Sequence, residues 1–252
     1  MTMQPGVAWI IGGGSGIGAA VAHMLAKRGW TVAISGRREE KLAAVAKGYP
    51  TISGYPLDVT DGDAIAATVH KIAADLGRID LFIFGAAAWQ PMDVGDYDYE
   101  KFSKVVDTNY LGVIRVANPV IEQMKRQGSG HFAVIASVAG YFGLPRSAAY
   151  SSTKAGLINL LETMRAELAP SKVVVRMIAP GFVKSELTDK NDFPMPFLME
   201  TDDAAERIVD GLTKSDAFEI AFPKRMVWLM KTVRWLPYPI FFWLTGKMIP
   251  KD

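Results

Sequence analysis

Tyr150 and Lys154, in the run Tyr150-Ser151-Ser152-Thr153-Lys154, are the residues of this sequence best suited to moving a proton. Four apart, they share one face if the segment is helical. A phenol with a pKa of about 10 is a poor base near neutral pH, but a neighbouring ammonium stabilises the phenolate and lowers that value. Such a pair can pass a proton to a developing alkoxide or take one from an alcohol. The hydroxyl of Ser137 can hydrogen-bond to the same oxygen. Tyrosine and lysine at this spacing also arise often by chance, so the pair gains meaning only from the elements that position it.

Those elements alternate. Val7–Ile11 is a continuous apolar run that ends in glycines, and helical periodicity follows over Ala19–Arg28 before the β-rich run Thr31–Ser35. Helix Glu39–Lys47 precedes strand Thr51–Leu57, helix Asp63–Leu76 precedes strand Leu81–Phe84, helix Phe102–Arg126 precedes strand His131–Ala136, and helix Ala149–Leu168 precedes strand Val173–Ile178. Short apolar strands alternating with helices predict a Rossmann-type α/β fold, a doubly wound parallel sheet in a three-layer α/β/α arrangement with a helical C-terminal extension. Residues 1–252 are expected to form one domain. The segment 185–199, broken by Pro194 and Pro196, reads as a lid over the substrate.

The loop Gly12-Gly13-Gly14-Ser15-Gly16-Ile17-Gly18 lies between the first strand and the first helix. Glycines let a backbone approach a pyrophosphate, and the helix behind offers unpaired N–H groups and the positive end of its dipole. The spacing, glycines at 12, 16 and 18, differs from the commoner Gly-x-Gly-x-x-Gly fingerprint. It resembles the short-chain dehydrogenase/reductase family, with Ile11 where the family usually has threonine. The resemblance runs in order from about residue 6 to residue 187. Ser137 precedes Tyr150 by the family's spacing, Asn109 in Thr108-Asn109-Tyr110-Leu111-Gly112 matches its helix asparagine, and Pro180-Gly181-Phe182-Val183-Lys184-Ser185 matches its Pro-Gly segment.

The resemblance implies a catalytic set of Asn109, Ser137, Tyr150 and Lys154, with Asn109 supporting a proton-relay water and Lys154 also holding the nicotinamide ribose. It implies cofactor contacts from Gly12, Gly14, Ser15, Gly16, Ile17, Gly18, Arg37, Arg38, Asp58, Val59, Ala86, Tyr150, Lys154, Pro180, Gly181, Val183 and Ser185. The second strand ends in Gly36-Arg37-Arg38 and offers no carboxylate to a ribose 2′-hydroxyl, whereas a guanidinium pairs with a 2′-phosphate. NADP(H) is therefore the expected cofactor, with NAD(H) the alternative. Both arginines also fit a solvated helix start, and Asp58 also fits a cap for the following helix. The segment Phe84-Gly85-Ala86-Ala87 departs from the family's Asn-Asn-Ala-Gly and keeps only Ala86, which implies altered cofactor affinity.

Composition bounds the rest. Among 252 residues half are hydrophobic and 21% charged, enough for a large core, and a formal charge of +2 without basic runs argues against nucleic acid as a partner. With no cysteine there is no disulfide, thiolate chemistry or cysteine-ligated zinc, which fits a cytoplasmic protein. His23, His70 and His131 lack ligand spacing, so no metal is expected. Val7–Ile11 lacks the flanks of a signal peptide. Trp89, Tyr141, Phe142, Leu144, Leu187, Phe193, Met195, Phe197, Leu198 and Met199 fall where the family surrounds its substrate, which predicts a small apolar carbonyl or alcohol.

The tail 223–252 extends past the usual end of such folds. A helix over Lys224–Leu236 would gather Met226, Leu229, Met230, Val233 and Leu236 on one face and Lys224, Trp228, Lys231 and Trp235 on the other. Peripheral membrane contact, a cover over the cleft and a subunit interface all fit this pattern, and the family commonly forms homodimers or homotetramers. The expected activity is the interconversion of a carbonyl and a secondary alcohol with NADP(H). An NAD-linked alcohol dehydrogenase and a non-catalytic nucleotide-binding or membrane-associated scaffold are the competing readings.

Overall fold

A computed structural model describes residues 3–190 and 193–249. Asn191 and Asp192 of the expected lid, and the last three residues of the tail, lie outside the described residues. The strands are β1 (Val7–Ile11), β2 (Thr31–Gly36), β3 (Ile52–Pro56), β4 (Leu81–Phe84), β5 (Gly130–Ile135), β6 (Val173–Pro180) and β7 (Glu219–Phe222). The helices are α1 (Gly16–Lys27), α2 (Glu39–Ala46), α3 (Gly62–Leu76), α4 (Tyr99–Val106), α5 (Gly112–Arg126), α6 (Ala148–Glu167), α7 (Thr201–Lys214), α8 (Lys224–Arg234) and α9 (Tyr238–Gly246).

All seven strands are parallel, in the order β3-β2-β1-β4-β5-β6-β7. Both faces are covered, which is why β1 and β4 are buried at every position and show no polar alternation. Trp9, Ile11, Phe82, Phe84 and Phe132 face a core built with Ile65 and Val69 of α3, Val116 and Val120 of α5, and Leu157 and Leu161 of α6. Their neighbours Ala8, Ile10, Leu81 and Ile83 face Val21 and Leu25 of α1 and Ile208 and Leu212 of α7 on the other side. The alternation that a strand imposes thus assigns each residue to one of two cores.

Strand order reverses between β1 and β4, opening a crevice at their carboxyl ends where ligands bind in folds of this kind. The glycine loop fills one wall. Gly12 has φ +83°, and a Cβ there would lie 2.7 Å from the backbone nitrogen of Ala86. A Cβ on Gly18 would lie 2.2 Å from the Gly12 carbonyl oxygen. Close approach of loop, helix and neighbouring strand therefore depends on bare backbone. Helix α1 begins at Gly16, three residues before the periodicity suggested, because glycines carry no apolar signal to mark its first turn.

The expected single helix Phe102–Arg126 is interrupted. Between α4 and α5 the segment Asp107–Leu111 widens into a π-turn, an insertion that hydrophobic period does not reveal. Helix α7 and strand β7 complete the sheet beyond the strands expected from sequence.

The glycine contact is testable. Gly18→Ala forces a methyl group against an immobile carbonyl and is expected to destabilise the protein by about 1–3 kcal/mol or more, read as a fall in the thermal unfolding midpoint. An unchanged midpoint would show that the loop and α1 do not meet as described.

Candidate active site

A cleft of about 460 Å³ runs along the carboxyl edge of the sheet, within the size range of ligand pockets. Its lining includes Gly12, Gly14, Ser15, Gly16, Ile17, Gly18, Arg37, Arg38, Asp58, Val59, Ala86, Ser137, Tyr150, Lys154, Pro180, Gly181, Val183 and Ser185. All the expected cofactor-contact residues therefore share one cavity, together with three of the four expected catalytic residues. Lys41, Glu186 and Thr188 also line it and were missed, because each joins the site through spatial proximity and not through a motif; Thr108 lines it beside the expected Asn109.

At one end lies Tyr150, in the first turn of α6. Its hydroxyl shares a hydrogen bond with Ser137, which follows β5. The two meet because the turn after Ser137 lies flat against α6: a Cβ on Gly140 would stand 2.7 Å from the carbonyl carbon of Lys154. Trp89 packs edge-to-face on Tyr150, with ring centroids 5.3 Å apart. Burial pushes the Tyr150 phenol up to about 12, with the Ser137 bond acting in the opposite direction.

Lys154 is 2% exposed, and its Nζ donates to the carbonyl oxygen of Ile135 at 2.7 Å. It stands 5.4 Å from the centre of the Tyr150 ring. Burial brings its ammonium down to about 7. Desolvation thus moves both groups toward their neutral forms, the phenol upward and the ammonium downward.

Asn109 sits in the π-turn, fully buried and outside the cleft lining. Its Oδ1 accepts from the Ala88 N–H at 2.6 Å, and its Nδ2 donates to the Ala88 carbonyl at 3.0 Å and to Thr153 Oγ1 at 3.3 Å. The amide therefore staples the loop after β4 to α6, one residue from Trp89 on one side and one from Lys154 on the other.

The glycine loop lies at the other end. Ser15 caps α1 through backbone conformation alone, with no side-chain bond to the helix N–H groups, so the first turn keeps donors and dipole for a phosphate. Arg37 and Arg38 are exposed at the rim. Arg38 pairs with Glu186 at 3.2 Å, and Lys41 of α2 pairs with the same carboxylate. Asp58 does not cap α3, whose cap is Asp61. It accepts instead from the Thr60 N–H and hydroxyl at 3.0 and 2.9 Å. Burial alone would raise the Asp58 carboxyl, but these bonds and the charges of Arg37 and Arg115 outweigh it and leave the group more acidic than usual. In the Phe84–Ala87 segment, Gly85, Ala86 and Ala87 all reach the cleft. A glycine loop, bare helix donors and a basic rim fit a dinucleotide cofactor.

The expected apolar substrate wall is only partly assembled. Leu187 lines the cleft. Tyr141, Phe142 and Leu144 turn instead toward α8, while Phe193, Phe197 and Leu198 remain partly open to solvent. The two ends of the expected lid are tied together: Lys184 N–H donates to Met199 O and Met199 N–H donates to Phe182 O, each at 3.0 Å. Those bonds draw Met199 into the core beneath α1 and α7 and away from the cleft.

The buried lysine sets a pH dependence of stability. Its pKa is about 7 when folded and 10.5 ordinarily, so across that window the unfolded chain binds more protons and stability rises with pH. Relative to Lys154→Met, the parent is expected to gain up to about 1.4 kcal/mol per pH unit between those values. Parallel denaturant titrations from neutral to alkaline pH measure the difference, and identical slopes would show that Lys154 keeps its ordinary pKa in the folded protein.

Comparison with known proteins places this arrangement. The short chain dehydrogenase family profile matches residues 6–194. An oxidoreductase of Myxococcus xanthus (strain DK1622) is 38% identical over 239 residues, which cover 93% of this chain and 94% of that protein. One from Staphylococcus haemolyticus is 33% identical over 82% of this chain and 91% of its own. The crystal structure of a short-chain dehydrogenase from Streptomyces avermitilis superposes with a TM-score of 0.80 at 24% identity, covering 91% of this chain and 92% of that one, and shows the shared fold. The chain belongs to the short-chain dehydrogenase family and is an NAD(P)-dependent oxidoreductase.

Proposed function

We propose that the protein is an NADP(H)-dependent carbonyl reductase acting on an apolar ketone or aldehyde, with Tyr150 as the proton donor. The observation that carries this reading is the Ser137–Tyr150 hydrogen bond, set in the same cleft as the glycine loop and beside Lys154. When bound, the nicotinamide supplies the hydride. Ser137 holds the substrate oxygen, and Tyr150 gives its hydroxyl proton to that oxygen as negative charge develops. Burial keeps the Tyr150 phenol protonated at neutral pH, ready to give its proton. Lys154 holds the nicotinamide ribose and supports the phenolate left after transfer. Asn109 is a positioning residue that keeps the Ala88–Trp89 loop against α6.

NADP(H) is favoured over NAD(H) by the absence of an acidic residue at the end of β2 and by three cations at the rim, Arg37, Arg38 and Lys41. Glu186 offsets part of that charge by pairing with two of them. These pairs are exposed and individually weak.

Tyr150→Phe is expected to abolish carbonyl reduction while NADPH still quenches tryptophan fluorescence. Activity within a few-fold of the parent would remove Tyr150 from this role. Glu186→Gln is expected to lower the KM for NADPH roughly two- to fivefold while leaving that for NADH nearly unchanged, the size of a released surface ion pair. Equal effects on both cofactors would place the 2′-phosphate away from Arg38 and Lys41.

A further inference from the structure

We propose that α8 and α9 form a docking surface for an anionic lipid bilayer, and that this surface sets the substrate end of the cleft against the membrane. The docking does not depend on the reaction assigned above; only the delivery of substrate rests on that reading.

The inner face of α8 is settled. Met226, Val227 and Met230 are buried against Val138, Ala179 and Ala221, with Tyr141, Phe142 and Phe182 packed at the edge. Leu229, expected on that face, is instead 51% exposed, and Val227 takes its place. Phe241 of α9 meets Phe142 at 5.4 Å between ring centroids. Both helices are therefore anchored beside the segment that follows Ser137. A Cβ on Gly181, in the cleft lining, would lie 3.1 Å from Pro223 Cδ and 3.5 Å from Met226 Cγ. The start of α8 directly backs the wall of the site.

The outer face is apolar where water would favour polar side chains. Trp228 is 74% exposed, Trp235 88% and Trp243 60%, and Leu229, Tyr238, Ile240, Phe242, Met248 and Ile249 are exposed beside them in the sequence. Large exposed apolar surface of this kind marks an interaction site. Its charge identifies the partner. Residues 223–249 carry Lys224, Arg225, Lys231, Arg234 and Lys247 and no Asp or Glu. Lys231 is held by Glu219 of β7, whereas Lys224, Arg225, Arg234 and Lys247 are exposed. Lys247 Nζ stands 3.5 Å above the centre of the Trp243 ring, a cation–π contact that sets an ammonium directly beside an exposed indole. Tryptophan beside lysine and arginine is the composition of a segment that seats its rings among acyl chains and its cations among phosphates.

Helix length requires an interfacial seat. No helix among the described residues is long and apolar enough to cross a membrane. At nine residues α9 is roughly 14 Å long, about half a hydrocarbon core. A second copy packed face to face would set these cations against one another, because residues 223–249 carry no carboxylate, whereas an anionic bilayer meets both the cations and the rings.

Flotation tests the surface with the full chain. Vesicles of equal parts phosphatidylcholine and phosphatidylglycerol, and vesicles of phosphatidylcholine alone, are mixed with parent, with Trp228→Ser/Trp243→Ser and with Arg225→Glu/Lys247→Glu. The parent is expected to float with the anionic vesicles and to bind the neutral ones about tenfold less. Each double variant is expected to stay largely in the soluble fraction. Equal partition of parent and variants, or no flotation of the parent, overturns the proposal. So does sedimentation velocity showing a parent dimer that both variants lose without any vesicle binding, which gives the face to a second copy. With NADPH, both variants are expected to reduce a short water-soluble ketone at the parent rate and to lose rate only on a long-chain ketone embedded in the anionic vesicles. Unchanged rates on the embedded ketone overturn delivery from the bilayer while leaving the docking result and the assignment of Tyr150 to stand separately.

Discussion

The chain leaves β1 and β4 in opposite directions, and the crevice created by that reversal is the constraint on which the rest of the molecule depends. A parallel sheet covered on both faces offers chemistry only at its strand ends, because its sides are occupied by helices. The glycine loop closes one wall of the crevice by backbone contact with the neighbouring strand and with its own helix. The turn after Ser137 closes the other, lying on α6 where Gly140 carries no side chain. The Ser137–Tyr150 pair and the glycine loop thus lie at opposite ends of one cleft, held by the same sheet.

Burial at the Tyr150 end has a consequence for charge. Lys154 is enclosed with a backbone carbonyl as its hydrogen-bond acceptor and no acidic neighbour, so its ammonium is depressed while the Tyr150 phenol is raised. Both shifts favour the uncharged form, and the one that alters charge near neutral pH is that of Lys154. The π-turn contributes in a different way: it carries Asn109, whose amide is committed to Ala88 and Thr153, so the loop bearing Trp89 is fixed relative to the helix bearing Tyr150 and Lys154.

The far end of the cleft is more exposed and its interactions are correspondingly softer. Arg38 and Lys41 share Glu186, so the segment after β6 is tied to the basic rim by two charged hydrogen bonds. Ser185 meets the glycine loop, standing 3.3 Å from where a Cβ of Gly16 would be. In the tail, α8 rests on the segment that follows Ser137, Phe241 of α9 packs on Phe142, and Trp228, Trp235 and Trp243 turn outward.

The fold and most of the cleft were legible in the residues themselves. Continuous apolar runs between amphipathic stretches require strands buried on two faces, and the positions of Gly12, Gly18, Ser137, Tyr150 and Lys154 relative to those runs place them at strand ends and helix starts, because both are properties of local order along the chain. Other features came only from the tertiary structure. The contacts of Lys41 with Glu186 and of Asn109 with Ala88 join residues far apart in sequence, and no spacing encodes them. The π-turn is one extra residue in a helix whose apolar period continues on either side. The neutral bias of Tyr150 and Lys154 depends on how completely the packed chain removes water from them, which is set by every element around the site and by no motif within it.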